Sequence, residues 1–240
     1  MAADTYFSWR DEMQCNFSQE TEVGRVPLLI EQQAKRLGFD FYLLLIRHPV
    51  PFTRPRTFYY CNFPEEWINF YCSENSTSLD LILKHCYFPG SLRVWDDKCA
   101  GEGETVMQTA RQFGVFQGIS TSAMAQNRAK GILLFASSDP INIVKLTTEL
   151  ELKLQYLLEL SLTTLIRLND ISMVSVKLEL SDREREILKW IAEGKTSAEI
   201  SLILSISQHT VNFHQKKMQK RLNAPNKTQI ASYAAAMGLI

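Results

Sequence analysis

The spacing of apolar positions changes along this chain, and each change predicts a different element. Residues 4–18 read as a helix. Over 25–37, Val26, Leu29, Ile30, Ala34 and Leu37 recur at helical spacing. Pro27 fits only near the first turn of that helix. From 39 to 46 the pattern becomes a continuous, β-favouring apolar run, stopped by the turn-like Arg47-His48-Pro49-Val50-Pro51. Residues 57–61, 92–95, 117–124 and 131–136 are further strands. Residues 64–71 read as a short helix with Pro64 near its first turn. Together these predict a mixed sheet with helices around it.

Residues 141–168 form one long apolar-periodic segment through Val144, Leu150, Leu154, Leu157, Leu158 and Leu165. A helix of that length would reach roughly 40 Å. Two accounts of its apolar face stay open: packing against its own sheet, or self-association along an exposed part. Residues 169–177 lack periodicity and read as a linker.

After Leu180 the pattern predicts four short helices. Ser181 with Glu184, and Thr196 with Glu199, have the spacing of capping boxes. Ile187, Leu188, Ile191 and Ala192 form one apolar face, ended by Gly194. Ile200, Ile203 and Leu204 give the next helix its buried side, and Ser205-Ile206-Ser207 is a tight connection. The third helix, 208–222, turns Val211, Met218 and Leu222 inward. Another face carries Asn212, Lys216 and Lys220, flanked by Gln208, Phe213 and Lys217. Lysines can neutralise phosphates, an amide can pair with an adenine edge, and a phenyl ring can touch a thymine methyl. A helix of this size fits the major groove. Pro225 breaks the chain before a last helix containing Ile230, Ala231, Ala234 and Met237, with Lys227 near its start and small residues suited to close packing.

Composition narrows the class. The chain has 240 residues, 45% hydrophobic and 22% charged, enough for one large or two small domains. No run approaches the ~18 apolar residues of a membrane span, and no secretory signal pattern opens the chain; a cytoplasmic protein is expected. Cys15, Cys61, Cys72, Cys86 and Cys99 are odd in number and never spaced as CxxC. That argues against a disulfide framework or zinc finger and for small buried side chains. The net charge of zero hides an asymmetry. Residues 178–240 hold nine Lys/Arg and six Asp/Glu, net +3, and the remainder 26 − 9 = 17 basic and 26 − 6 = 20 acidic, net −3. Between Ser207 and Lys227 lie five basic residues and no acid, which predicts a confined contact with a polyanion.

The C-terminal pattern carries a family resemblance. Leu180-Ser181, Glu184, Leu188, Gly194, Glu199-Ile200, Leu204-Ser205-Ile206-Ser207, Thr210-Val211, His214 and the closing Gly238-Leu239-Ile240 resemble the LuxR-type helix-turn-helix. The resemblance implies a four-helix, all-α DNA-binding domain over 178–240 that reads a palindromic operator in double-stranded DNA as a homodimer. The resemblance also implies RNA polymerase as a further partner and activation as the role. Its contact set would be Gln208, Thr210, Asn212, Phe213, Lys216, Lys217, Lys220, Arg221 and Lys227, with His214 structural and no metal.

The first part lacks the acidic pair, phosphoacceptor Asp and later Lys of a receiver domain. Instead Trp67, Tyr71, Asp80, Trp95 and Gly131 resemble the autoinducer-binding domain of quorum-sensing receptors. Residues 47–55, 193–199 and 224–229 narrow the match to the SdiA-type branch found in enterobacteria. The resemblance covers essentially the whole chain. It implies an α+β protein whose residues 1–168 form an α/β/α sandwich with an antiparallel sheet, binding an acyl-homoserine lactone or similar acylated amphiphile and dimerising. No cofactor is implied. Asp80 would accept an amide N–H and Trp67 would donate its indole N–H to a carbonyl. Tyr59, Tyr71, Trp95 and Ile82 would line an apolar sleeve; taken singly, each aromatic reads equally as ordinary core. Phe63 and Leu134 stand where the family often has hydroxyl residues, and Leu81 follows Asp80 where a Pro is common. These departures keep a second reading in view: a ligand-independent regulator with a structural lipid in its pocket. A third, an enzyme acting on acyl signals through His48, His85 or a cysteine, lacks any nucleophile motif such as GxSxG.

Overall fold

The computed structural model describes residues 5–73, 89–95, 108–139, 147–174 and 180–240. The chain divides into two compact units. The first runs to Arg47 and resumes over Thr57–Met173; the second joins His48–Arg56 to Val174–Ile240.

In the first unit, helices α1 (Tyr6–Gln19) and α2 (Arg25–Arg36) precede strands β1 (Phe41–Arg47) and β2 (Thr57–Cys61). Helix α3 (Glu65–Ser73), strands β3 (Leu92–Trp95), β4 (Gln117–Met124) and β5 (Lys130–Ser137), and helix α4 (Thr148–Arg167) follow. The strands form a five-stranded sheet in the order β2-β1-β5-β4-β3, every neighbouring pair antiparallel. The β-favouring run over 39–46 is thus a central strand, and its buried centre explains why it reads as continuous rather than alternating.

Each face of the sheet has its own core. On one face Tyr42, Leu44, Ile46, Ile119, Leu133 and Phe135 pack with Trp9, Met13, Phe17, Ile30 and Leu154 of the surrounding helices. On the other, Leu43, Leu45, Ile132, Leu134 and Ala136 pack with Phe63, Trp67, Ile68, Ala110 and Val115. Helices on both faces make the expected α/β/α sandwich. Within the first core the Trp9 indole donates to Gln33 Oε1 at 2.9 Å, so two buried polar groups satisfy each other.

Helix α4 starts at Thr148, capped by the Thr147 hydroxyl, which accepts the Leu150 N–H at 3.1 Å. Its 20 residues reach about 30 Å. Val144 and the rest of 140–146 lie outside the described residues. Leu154, Leu157, Leu158 and Leu165 are fully buried, so packing within the unit accounts for the periodicity. The outward stripe carries Glu149, Leu152, Glu159, Thr163 and Arg167, with Leu152 alone apolar. That leaves little apolar surface on this helix for self-association.

Three readings shift. Of the linker expected over 169–177, residues 169–173 pack with the first unit, because Asp170 and Met173 are buried there; residues 175–179 lie outside the described residues. Cys15 is exposed on the polar side of α1 and Cys61 half-buried, both free thiols, so the expectation of buried cysteines fails at Cys15. Cys86 and Cys99, and the side chain of Cys72, lie outside the description. The turn-like segment 47–51 also does more than turn. Val50 joins the core of the second unit, and the Phe52 ring meets Tyr233 edge-on at 5.3 Å.

The second unit contains α5 (Asp182–Ala192), α6 (Ser197–Ile203), α7 (Gln208–Leu222) and α8 (Lys227–Ala236). Both capping boxes form, at Ser181/Glu184 and Thr196/Glu199. Gly194 closes α5 at φ +82°, a backbone conformation glycine adopts at low cost. Ile187, Leu188, Ile200, Val211, Met218, Ile230 and Ala234 are fully buried in one core.

Candidate DNA interface and ligand face

Helix α7 begins at Ser207, whose hydroxyl accepts the Thr210 N–H at 3.0 Å and lies 2.9 Å from the Thr210 hydroxyl. Thr210 is therefore engaged at the helix start. Val211, Met218 and Leu222 face inward as the spacing predicts. Gln208, Phe213, Lys216, Lys217 and Lys220 are exposed and Asn212 is half-buried, so the amides, cations and aromatic ring do gather on accessible helix surface. Phe213 is 59% exposed, an apolar ring turned outward and suited to contact with a thymine methyl. Lys227 opens α8 and is also exposed.

Two of the candidate cations have a second task. Glu184, in the first turn of α5, is 1% exposed and takes Arg221 Nη1 on Oε2 at 3.1 Å. Lys217 Nζ lies 2.9 Å from Oε1. Burial pushes this carboxyl upward, but the Lys217 contact, the Ser181 backbone N–H and the charges of Lys217 and Arg221 outweigh it. The result is a pKa lowered to about 2. The spacing identified Glu184 as a capping residue; it also fastens α7 to α5. Among the described residues Lys216 and Lys220 have no such tie to Glu184, which separates groups turned toward a polyanion from groups holding the module together. His214 stacks edge-on against Phe213 at 5.7 Å, and its Nδ1 is buried without a hydrogen-bond partner among the described residues.

The sheet face opposite α1, α2 and α4 holds the candidate ligand residues. Strand register fixes which side chains share it. Cys61, Leu43, Leu134, Ser120 and Arg93 form one row across all five strands. Tyr59, Leu45, Ile132 and Ser122 form the next, and Phe41, Ala136 and Gly118 a third. Trp67 of α3 is 6% exposed and meets Phe113 at 5.6 Å. Phe63 stacks on Phe41 at 5.0 Å between centroids, which gives its ring an aromatic packing role in place of a hydroxyl's. Leu134 is 2% exposed in the centre of the face, whereas Tyr59 is 47% exposed on the edge strand. Tyr71 lies on α3 and Trp95 ends β3, but their side chains are outside the description, and Asp80 and Ile82 lie outside the described residues altogether. The buried serines of β4 were missed from the sequence, where Ser-Thr-Ser reads only as a polar interruption of a strand.

The architecture and both faces have close counterparts. Residues 178–234 match the model of the luxR family of bacterial regulatory proteins, and residues 25–163 match the autoinducer binding domain. The chain belongs to the LuxR-type family of quorum-sensing regulators. It is 46% identical to the regulatory protein SdiA of Escherichia coli over 98% of both chains. It is 36% identical to the quorum-sensing regulator RhlR of Pseudomonas aeruginosa, again over 98% of each. A crystal structure of E. coli SdiA superposes with a TM-score of 0.90 over 98% of this chain and 99% of that one. SdiA in complex with octanoyl-rac-glycerol gives 0.89 at 46% identity, over 100% and 98%. The chain is thus a DNA-binding transcription regulator with a small-molecule signal domain, and not an enzyme. Among the described residues no helix is long and apolar enough to cross a membrane.

Proposed function

We propose that this regulator senses an acyl-homoserine lactone or a related acylated amphiphile and reads a palindromic operator as a homodimer in the cytoplasm, contacting RNA polymerase as an activator. The observation that carries the ligand class is the apolar sheet face around Leu43, Leu134 and Trp67. In a relative 46% identical over the whole chain, the solved complex contains an octanoyl glycerol. The compact two-unit division supports a sensor over roughly 1–168 and a DNA reader over 178–240. For DNA, the exposed Gln208, Phe213, Lys216 and Lys220 and the half-buried Asn212 supply base-edge and phosphate chemistry. Lys227 adds a cation at a helix N-terminus, and Thr210, Lys217 and Arg221 stand behind them. On the ligand face, Trp67, Phe63, Leu134 and Tyr59 line the sheet side, with Tyr71, Trp95, Asp80 and Ile82 assigned by resemblance.

A second reading, constitutive DNA binding with a structural lipid, is favoured by one observation: Phe63 and Leu134 present no hydroxyl to a ligand head. Thermal unfolding of the purified chain with acyl-homoserine lactones of several lengths, and with octanoyl glycerol, separates the two. A dose-dependent rise for one length class supports a signal receptor. No rise, in a folded protein that already binds operator DNA, supports constitutive action.

A further inference from the structure

The second unit is built from two stretches of chain, and the shorter one carries charge. Residues 48–56 connect β1 to β2, yet they cluster with 174–240. Val50 is 7% exposed within the core of that unit, and the Phe52 ring meets Tyr233 edge-on. Arg56 Nη1 donates to the Val174 carbonyl at 3.2 Å. Two apolar anchors and one hydrogen bond therefore hold this loop to the helical module.

Arg54 stands between those anchors. It is exposed, and it has no ion pair or hydrogen bond among the described residues. Residues 47–56 contain three arginines, one histidine and no acid. Pro49, Pro51 and Pro55 restrict the loop, and Pro55 favours an extended backbone at Arg54. The charge is presented from a stiff, docked loop, which lowers the ordering cost of any contact it makes.

A surface arginine by itself needs no explanation. Its neighbourhood gives this one a partner. The Tyr233 hydroxyl accepts from Gln229 Nε2 at 2.9 Å, so the ring lies over the turn of α8 that precedes it. Two residues before Gln229, the exposed Lys227 opens that helix. Phe52 docks on this ring, and Arg54 follows at most about 7 Å further along the chain. Both basic stretches of the unit, 47–56 and 207–227, are free of acids. Such a surface complements a polyanion.

We infer that Arg54 is a phosphate-contacting residue of the DNA reader, reaching the duplex backbone from the β1–β2 loop on the side of α8 that carries Lys227. The inference rests on the DNA reading of the second unit and adds to it a segment distant in sequence. A phosphate contact carries no base information, so Arg54 adds affinity and holds register without choosing a sequence.

The test is a set of binding isotherms of the full chain on one mixed-sequence duplex of about 40 base pairs, roughly four helical turns. Salt is varied from about 50 to about 200 mM, and each phosphate contact contributes about 0.9 to the slope. Between those limits the affinity of Arg54→Ala should fall about threefold less than that of the parent for each copy bound. Arg54→Lys, which keeps the charge, should follow the parent, and the thermal midpoints of both should stay with it, because the side chain is exposed. If Arg54→Ala does not fold, Arg54→Gln is measured in its place. An unchanged slope in the folded Arg54 variant, with the slope of Lys216→Ala lowered, overturns the assignment while the DNA reading of α7 stands. An unchanged slope with a lost response to purified RNA polymerase also overturns it, and gives Arg54 to a protein partner. A parent whose binding to the duplex does not depend on salt overturns the DNA reading, and this inference with it.

Discussion

Glu184 and Arg221 meet at 3.1 Å across the two helices that frame the DNA-binding module, with the carboxylate almost fully buried. Burial alone would make this acid costly, and its partners reverse that. Its folded pKa of about 2 lies below the ordinary value of 4.5. A lowered carboxyl pKa contributes stability that is fully present above the unfolded value and lost as pH falls through the folded one. Glu184→Gln should therefore destabilise the second unit at neutral pH, by about 1–3 kcal/mol for a buried charged group's partners left unpaired. The gap between parent and variant should close as pH falls from about 4.5 to about 2. Paired unfolding midpoints at neutral and acid pH measure it; a gap that stays constant with pH would remove the ion-pair account.

The same contact sorts the lysines of α7. Lys216 is exposed and free of Glu184, whereas Lys217 is bound to it. Lys216→Ala should weaken binding to many DNA sequences alike and lower the salt slope by about 1. Lys217→Ala should cost more stability than Lys216→Ala. Asn212→Ala should relax discrimination at one base pair by about 1–3 kcal/mol. Binding isotherms over a salt series, on operator and scrambled duplexes, distinguish these effects. An unchanged slope for Lys216→Ala would take it out of the phosphate set.

Local chemistry made the helical module legible from residues alone. Ser181, Glu184, Thr196, Glu199 and Gly194 each act within one helical turn of their own position, and the bounds of α7 follow from Ser207 and the inward Val211, Met218 and Leu222. The strands were legible as elements but not as a face. Whether Ser120 or Thr121 shares a side with Leu134 depends on register between β4 and β5, which alternation within one strand cannot set. Contacts distant in sequence were invisible for the same reason: Glu184 to Arg221, and Val50 with the core of the second unit. All the candidate ligand residues were named by resemblance; register and packing put Trp67, Phe63, Leu134 and Tyr59 on one side of the sheet, whereas Asp80 and Ile82 lie outside the described residues.

Gly131 shows where the resemblance has a packing reason. It lies on the helix-covered face of β5, opposite Ile46, and a Cβ there would stand 2.7 Å from both methyl carbons of Leu162. Leu162 is itself 3% exposed and has little room to turn away. Gly131→Ala should cost about 1–3 kcal/mol by overpacking. Chemical denaturation checks it, and Leu162→Ala in the same chain should relieve part of the loss. Equal stability of Gly131→Ala and parent would show that α4 can shift without cost.

Tyr60 supplies the last prediction, at the point where the first unit ends. Its hydroxyl donates to Asp170 Oδ1 at 2.6 Å, and the same oxygen accepts the Ser172 N–H at 2.8 Å and the Ser172 hydroxyl. Asp170 is 6% exposed, so these donors replace the water that its charge would otherwise hold. They also fasten the residues after α4 to edge strand β2, where Tyr59 shares the α3 side of the sheet with Leu45 and Tyr60 packs on the side of α1, α2 and α4. Burial, then the bond to Asp170, pushes the Tyr60 hydroxyl up to about 12 from 10.0. A raised pKa gives stability present below the unfolded value and lost as pH rises toward the folded one, here between about 10 and about 12. Tyr60→Phe should lower stability by about 1–3 kcal/mol at neutral pH, since the carboxylate loses one charge-assisted donor but keeps two. It should also remove that part of the alkaline decline. Urea midpoints at pH 7 and at high pH test both parts. If the variant matches the parent at pH 7, water or the Ser172 donors suffice, and Tyr60 does not hold the end of the sensor unit to its sheet.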